Sequence, residues 1–398
     1  MEGNRWKATD PLSPDRHEAF PAVPLELIEA ALRVGDAPYP RNPVPRFAEQ
    51  LLELSALHGV EALLDTAVGK SEASRSWPLV VRDRLRMIAR ARAVRELLIK
   101  RELDALLPKL ADAQVEFLLL KGTPLAYALY PQPYLRSRGD TDLLVPPEKR
   151  QAAERVLLDA GYRAGESAGG TVASYELSFS KTDSAGVEHF VDLHWRLGNS
   201  QIYARMFSFD ELFVAAVTVP ELGPTARMPC SINALLIACL HRVSHLHAPY
   251  YVDGVPHLEA NRLIWLSDIH LLADGISPAE WEDFVALATR KGVRAICLDG
   301  IQVTRRAFHT AVPPWVLNRL AAPGPTELSA GYLSPGQWRH QLLELRALES
   351  WGQRLRLARE WFFPPADYVL RKYQRQSRLL LPWLYLRRAF GGILARIR

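Results

Sequence analysis

The sequence contains few cysteines and no long apolar run. Three cysteines occur among the 398 residues, Cys230, Cys239 and Cys297, and none of them forms a CxxC pair. This spacing indicates neither a disulfide framework nor a zinc ribbon. No segment approaches the ~20 apolar residues of a membrane-spanning helix, and the N-terminus lacks the apolar core of a signal peptide. We therefore expect a cytoplasmic protein.

Acidic residues are missing from the end of the chain. Residues 371–398 contain eight lysines and arginines but no aspartate or glutamate, whereas the whole chain carries a net charge of +5. The remainder is therefore −3, and this part of the protein gives no strong nucleic-acid-binding signal. The tail is also aromatic. Its simplest interpretation is a solvated or docked helix, and the alternative is a weak contact with an anionic partner or membrane surface.

Two aspartates stand at the start of an apolar strand. Asp140 and Asp142 lead directly into the apolar residues 143–145, and Asp192 lies in a second apolar segment, residues 190–195. Side chains alternate along a strand, so the first two carboxylates share a face and their Cα atoms lie roughly 6.5–7 Å apart. Carboxylate oxygens are the ligands that Mg²⁺ prefers. The pattern indicates a magnesium-dependent nucleotidyl-transfer site.

The segment before these aspartates favours phosphate binding. Residues 115–120 read as a buried strand that ends at Lys121 and Gly122, and Thr123 is a good N-cap for a following helix. A glycine turn at a helix N-terminus offers free N–H groups and the positive end of a dipole. We predict that Lys121, Gly122, Thr123 and Arg136 bind the nucleotide.

In this order, the motifs resemble a bacterial family of uncharacterised nucleotidyltransferases within the polymerase-β-type superfamily. The resemblance extends over roughly residues 45–375 and is strongest over 115–197. The chain departs from the wider superfamily at the turn, which is usually glycine-serine and here is lysine-glycine. The matching residues are Lys121, Gly122, Tyr130, Arg136, Asp140, Asp142 and Asp192-Leu193-His194-Trp195.

The resemblance implies transfer of a nucleoside monophosphate from a nucleoside triphosphate to an unidentified acceptor, with release of pyrophosphate. Asp140, Asp142 and Asp192 would hold two Mg²⁺ ions, with Asp192 nearest the attacking group. The acceptor is a small molecule, a peptide or a protein. Two alternatives stay open: an antitoxin-like enzyme that nucleotidylates a partner protein, and a non-catalytic scaffold with the same fold.

Several polar residues have more than one interpretation. His194 shares a strand face with Asp192 and could orient a carboxylate, contact substrate or be structural. His241 and His245 are four residues apart on a predicted helix without an HExxH pattern. We expect hydrogen-bonded packing histidines there, with substrate-side contact as the alternative. Arg138 lies outside the motif and is expected at the surface.

The predicted fold class is α+β, with a small mixed-sheet nucleotidyltransferase core flanked by N-terminal and C-terminal helical regions. Strands are predicted near 115–120, 140–145, 174–180 and 188–197, and helix 147–160 is closed by Gly161. The predicted units are a proline-rich, partly loose segment (1–45), a helical region (46–112), the catalytic core (113–220), a helical domain (229–312) and a C-terminal helical region with the basic tail (313–398), which opens with a Pro/Gly-rich break at 313–336.

Overall fold

The computed structural model describes residues 22–388, apart from 71, 166–171, 253, 323, 325, 335 and 376. The first 21 residues of the proline-rich segment and the last ten residues of the basic tail therefore lie outside the described residues. Among the described helices, none is both long and apolar enough to cross a membrane.

Among the described residues, four α-helices precede the sheet, and three of them lie within the helical region predicted for 46–112. The longest ends at Asp112 and includes Pro108 in its last turns. Gly59 ends the second helix with a φ of 69°, a left-handed conformation that glycine adopts without a Cβ clash. The helices are α1 (Ala22–Val34), α2 (Phe47–His58), α3 (Glu61–Lys70) and α4 (Leu79–Asp112).

A five-stranded mixed sheet follows, in the order β1-β2-β5-β4-β3. Only β2 and β5 are parallel to each other, and the other neighbours are antiparallel. All four predicted strands are present; β1, β2 and β5 are shorter than predicted, and β4 has the predicted length but begins two residues later. The elements in this part of the chain are β1 (Leu118–Leu120), α5 (Gly122–Ala128), β2 (Thr141–Leu144), α6 (Arg150–Asp159), β3 (Arg163–Ala164), β4 (Glu176–Thr182) and β5 (Glu188–His194).

A second set of helices packs beside the sheet. The sequence Ser277-Pro278-Ala279-Glu280 has the pattern of a capping box and forms one, because the Ser277 hydroxyl accepts from the Glu280 N–H and the Glu280 carboxylate accepts from the Ser277 N–H. The elements are α7 (Gln201–Ala204), α8 (Phe209–Val214), β6 (Val217–Thr218), β7 (Arg227–Met228), α9 (Ser231–Ser244), β8 (Tyr250–Val252), β9 (Val255–His257), α10 (Leu263–Asp274), α11 (Pro278–Arg290) and α12 (Arg294–Phe308).

The C-terminal region is helical, including part of the segment expected to be a break. The prediction of a Pro/Gly-rich break at 313–336 was wrong for residues 314–321, because Pro314 occupies the first helical position, where its missing N–H costs nothing. Residues 381–388 are also helical. The numbered helices are α13 (Pro314–Ala321), α14 (Gln337–Arg346), α15 (Trp351–Phe362) and α16 (Ala366–Lys372).

Two large apolar clusters hold these elements together. One joins the end of α4 to the sheet, α9, α11 and α12, and the other joins α1–α4 to the start of α10. The first cluster crosses the predicted boundary between the catalytic core and the helical domain. The α+β fold class is confirmed, and the division into units stays a prediction.

Candidate active site

Strand register brings the carboxylates together. In the parallel pair β2–β5, Asp142 lies opposite Asp192 and Leu144 lies opposite His194. Ligand atoms from Asp142, Asp192 and His194 all lie within 4.8 Å of one another. Within the described residues, this is the one group of histidine, cysteine and acidic side chains close enough to share a metal ion. The alternation of side chains predicted that Asp192 and His194 face the same way, but it did not predict their pairing with Asp142.

Lys121 reaches into this group from the end of β1. Its backbone is in an unusual conformation for a residue other than glycine, with φ 54° and ψ −128°. Its Nζ lies 2.6 Å from Asp142 Oδ1. Burial alone would lower the pKa of Lys121, but the Asp142 carboxylate outweighs this effect and raises it. The lysine is therefore held as a cation against the second aspartate of the motif.

The helix after Lys121 begins two residues earlier than predicted. Lys121 is the N-cap residue and α5 starts at Gly122, so the prediction of Thr123 as N-cap was wrong. The positive φ of Lys121 already turns the chain, which leaves the buried Thr123 hydroxyl 3.3 Å from the Asp140 carbonyl, to which it can donate. A Cβ at Gly122 would lie only 3.3 Å from Arg136 Nη1. The glycine therefore admits the arginine guanidinium.

His194 shares Asp142 with the lysine. Its Nε2 lies 2.9 Å from Asp142 Oδ1, and its Nδ1 lies 3.3 Å from Glu176 Oε2. Burial opposes protonation, but Asp142 and Glu176 together raise the pKa of His194. Burial also opposes ionisation of Asp142, yet Lys121 and His194 hold the pKa of Asp142 well below its usual range. Asp142 is thus an ionised carboxylate that contacts both the Lys121 ammonium and the His194 ring.

The other two aspartates are less strongly paired. Burial and then Asp142 raise the pKa of Asp192, while a hydrogen bond from Ser178 opposes the rise. Surrounding protein and the carboxylates of Asp142 and Asp192 raise the pKa of Asp140, although Asp140 keeps substantial solvent exposure. The sequence predicted Asp140 and Asp142 as paired ion ligands. In the structure, Asp140 stands at the mouth of the site, outside the close group.

The motif residues Tyr130 and Arg136 meet on a third residue, Asp268 of α10. Arg136 Nη2 lies 2.6 Å from Asp268 Oδ2 and its Nε lies 2.9 Å from Oδ1, while the Tyr130 hydroxyl donates to Oδ1 at 2.8 Å. Arg136 and Asp268 are 4% and 3% exposed. The guanidinium predicted to contact the triphosphate therefore holds α10 against the sheet in this structure.

Arg138 is not at the surface, and that prediction was wrong. Its side chain is 3% exposed and makes two hydrogen bonds to Glu96 of α4, at 2.6 and 2.8 Å. The Tyr127 hydroxyl donates to the same carboxylate at 2.5 Å. Glu96 is largely buried, and a buried carboxylate needs a cation at hydrogen-bond distance. Arg138 supplies that cation. Arg138 thereby fixes the turn before Asp140 to the long helix.

The paired histidines form one wall near Lys121. His241 lies in the last turn of α9 and His245 is the C-cap residue, with their Nε2 atoms 3.2 Å apart. His245 Nδ1 must donate to the Ala248 carbonyl at 3.0 Å, because a carbonyl only accepts. Burial lowers the pKa of His245 to about 4, so the neutral ring accepts at Nε2. His241 therefore donates from its own Nε2, which leaves a lone pair on its Nδ1.

A small cavity connects this wall to the site. Its volume of about 20 Å³ is room for roughly one water. Leu120 and Lys121 line one side, and His241, Trp265 and Asp268 line another. Trp265 also stacks on the His245 ring with centroids 4.3 Å apart. The geometry agrees with packing histidines, and His241 also lines the cavity beside Lys121.

Sequence reasoning missed three carboxylates that position the site, namely Glu96, Glu176 and Asp268. Glu96 and Asp268 lie on helices whose apolar periodicity gave no sign of a polar partner. Glu176 is the first residue of β4 and pairs in register with His194. The useful signal would have been an acidic residue on the otherwise apolar α10, where Asp268 is flanked by buried side chains.

The environment of His194 leads to a pH prediction. A histidine whose pKa is raised on folding stabilises the protein fully below its unfolded pKa of about 6.5, and this contribution is lost as pH rises through the folded value. The free energy of unfolding of the wild type should therefore fall relative to that of His194→Gln above about pH 6.5. Urea unfolding across this range measures the difference. The exposed His309→Asn variant should track the wild type, and a constant wild-type/His194→Gln difference would contradict the prediction.

The sequence was also compared with known proteins. A family model described as "Uncharacterised nucleotidyltransferase" matches residues 46–309, well over half of the chain. A search of curated proteins and a search of solved structures found no match. The matched range contains Lys121, Asp142, Asp192 and His194, the residues that the fold brings together. The chain therefore belongs to this family of uncharacterised nucleotidyltransferases.

Proposed function

We propose that the protein is a magnesium-dependent nucleotidyltransferase with a polymerase-β-type core. It would transfer a nucleoside monophosphate from a nucleoside triphosphate to an acceptor. The observation that supports this most is the register of β2 and β5, which brings the Asp142 and Asp192 carboxylates together beside Lys121. The unpaired state of the described cysteines agrees with a reaction in the cytoplasm.

The donor atoms suit Mg²⁺. Two carboxylates within 4.8 Å of each other are typical of the oxygen-rich sites this ion prefers, and Asp140 at the mouth could add a third. We assign Asp140, Asp142 and Asp192 to ion binding, in a site for two ions. When bound, the ions supply positive charge that stabilises the attacking and leaving oxygens.

Lys121 is the residue we assign to the triphosphate. Its ammonium neutralises Asp142 in this structure, and a long flexible side chain can turn to a phosphate oxygen once Asp142 has another cation. Gly122 and Thr123 would contribute backbone N–H groups at the start of α5. Arg136 could reach the triphosphate only by leaving Asp268, so we assign it an indirect role through the position of α10.

The reaction forms one bond and breaks one. An acceptor oxygen or nitrogen bonds to the α-phosphorus, and the bond from this phosphorus to the α,β-bridging oxygen breaks, so that this oxygen leaves with pyrophosphate. The acceptor proton passes to the Asp192 carboxylate, whose raised pKa favours accepting it, and then to solvent. His241 has a lone pair on Nδ1 and lines the adjoining cavity, which supports our assignment of His241 and His245 to the acceptor side.

A non-catalytic scaffold is the second candidate. Lys121 and His194 both contact the Asp142 carboxylate in this structure, and the lysine ammonium offsets its charge without an ion. This candidate predicts that neither Mg²⁺ nor nucleotides bind at physiological concentrations.

A thermal-shift titration separates the two candidates. We expect one of ATP, GTP, CTP and UTP to stabilise the wild type in the presence of Mg²⁺, by about 2.7 kcal/mol at 100 times its dissociation constant. The shift should disappear without Mg²⁺ and in Asp192→Asn, and should persist in Asp283→Asn, which changes an exposed aspartate on α11. No shift with any nucleotide would favour the scaffold.

A further inference from the structure

Exposed apolar side chains are concentrated near the C-terminus, outside the range of the family match. Among the described residues, ten large apolar side chains within residues 337–388 are substantially exposed, and Trp351 is 74% exposed. A soluble surface rarely presents so many in one short region. The ten are Trp338, Leu342, Trp351, Leu355, Phe362, Phe363, Leu379, Leu380, Trp383 and Leu386.

Helices α14 and α15 arrange these side chains in stripes. A helix turns about 100° per residue, so residues four apart lie on one face and a residue eleven apart returns to nearly the same direction. Trp338 and Leu342 therefore form one stripe on α14, and Trp351, Leu355 and Phe362 form another on α15. Each helix thus shows solvent a tryptophan followed four residues later by a leucine.

Arginines flank both stripes. Arg339 and Arg346 are exposed on α14, and Arg356 and Arg359 are exposed on α15. Residues 337–388 contain eleven lysines and arginines and four acidic residues. The outer surface is therefore strongly cationic as well as apolar.

Two of the four acidic residues face the catalytic core. Glu344 accepts hydrogen bonds from the Ser200 hydroxyl at 2.7 Å and the Gln201 N–H at 2.6 Å. Glu360 accepts from the backbone N–H groups of Val172 and Ala173 at 3.0 and 2.7 Å. The carboxylates thus anchor α14 and α15 by their inner faces. Their outer faces keep the arginines and the apolar stripes.

We propose that the outer faces of α14 and α15 bind the surface of an anionic lipid bilayer. Helices with Trp, Phe and Leu on one face and Arg beside them lie in the interface, with apolar side chains in the acyl boundary and cations at the headgroups. The charge of this surface is complementary to that of an anionic leaflet. The helices would lie on the membrane without crossing it.

A lipid surface fits these side chains better than a nucleic acid does. Single-stranded nucleic acids stack their bases on free aromatic faces. The Arg354 guanidinium lies over the Trp351 ring at 5.0 Å, and Arg387 lies 5.6 Å from the Trp383 ring. Leu355 and Phe362 extend the stripe with side chains that gain most from contact with hydrocarbon.

Vesicle flotation with the full chain tests this inference. We expect binding to phosphatidylcholine vesicles containing about 30% phosphatidylglycerol, weak binding to pure phosphatidylcholine, and loss of binding at about 1 M salt. Leu355→Ser should weaken the affinity about tenfold, since it removes one buried aliphatic side chain. The double variant Arg356→Gln/Arg359→Gln should weaken it about 20-fold on anionic vesicles alone.

The matched control is Leu97→Ser. Leu97 lies on α4 and is 69% exposed, against 68% for Leu355, so the two substitutions are alike in residue type, exposure and helical setting. Both variants should fold as the wild type does, and only Leu355→Ser should lose affinity. Equal binding to neutral and anionic vesicles, equal effects of the two substitutions, or binding to a polyuridylate oligomer in place of vesicles would each overturn the inference. So would self-association that Leu355→Ser abolishes in a protein that does not float with vesicles.

Discussion

Asp142→Asn is expected to reduce nucleotidyl transfer by about 10³-fold or more, a loss of about 4 kcal/mol of transition-state stabilisation. Asparagine preserves the size of the side chain but removes the negative charge that Lys121 and His194 share. A bound Mg²⁺ would lose its most strongly ionised ligand, because Asp142 is the one aspartate of the three whose pKa is lowered. The measurement is transfer of label from α-phosphate-labelled nucleotide to acceptors in an extract that the wild type labels.

Two measurements distinguish a loss of catalysis from a loss of folding in Asp142→Asn. Circular dichroism should show the wild-type helix content, and calorimetry should show that Mg²⁺ affinity falls together with activity. The control is Asp283→Asn, which removes an exposed carboxylate far along the chain. Normal transfer by Asp142→Asn would show that the paired carboxylates are not the catalytic centre.

Calorimetric titration with Mg²⁺ should also rank the three aspartates by their contribution to metal affinity. Asp142 and Asp192 lie within one group of ligand atoms, whereas Asp140 is at its mouth. Metal affinity should therefore fall more in Asp142→Asn and Asp192→Asn than in Asp140→Asn. Equal losses would show that Asp140 binds the ions as directly as the other two, as the sequence predicted for all three aspartates.

The sequence pattern predicted many helices and strands, because these elements depend on interactions between residues that are close along the chain. Alternation showed which residues of β5 share a face, and the helical regions predicted at 46–112 and 229–312 contain α2–α4 and α9–α12. The capping signature at Ser277 identified a helix start, since it satisfies backbone groups within four residues. These features depend only on neighbours along the chain.

The partners of the motif residues could not be predicted in the same way. Arg136 and Asp268 are 132 residues apart, and Arg138 and Glu96 are 42 residues apart. An amphipathic pattern shows which face of a helix is buried but not which element packs on it. The sequence therefore identified Arg136 as a motif residue but could not distinguish a phosphate contact from a buried ion pair.

The Arg136–Asp268 pair should contribute strongly to stability. Arg136→Met leaves Asp268 buried and without its bidentate partner, which should cost about 3–5 kcal/mol in the free energy of unfolding. Asp268→Leu should cost a similar amount, because it leaves a buried guanidinium. Tyr130→Phe removes one hydrogen bond to the same carboxylate and should cost about 1–2 kcal/mol. Urea unfolding at neutral pH measures all three.

A double-mutant cycle tests whether this stability belongs to the pair. The double variant Arg136→Met/Asp268→Leu removes both charges, so its loss should be smaller than the sum of the single losses by about 2 kcal/mol or more. The exposed Lys100–Asp104 pair on α4 is the control, and the coupling there should stay below about 0.5 kcal/mol. If Arg136→Met instead kept its stability and lost nucleotide affinity, the arginine would contact the triphosphate as the motif suggested. A large coupling would mean that the signature arginine of this site acts by fixing α10, with Asp268, beside the carboxylates.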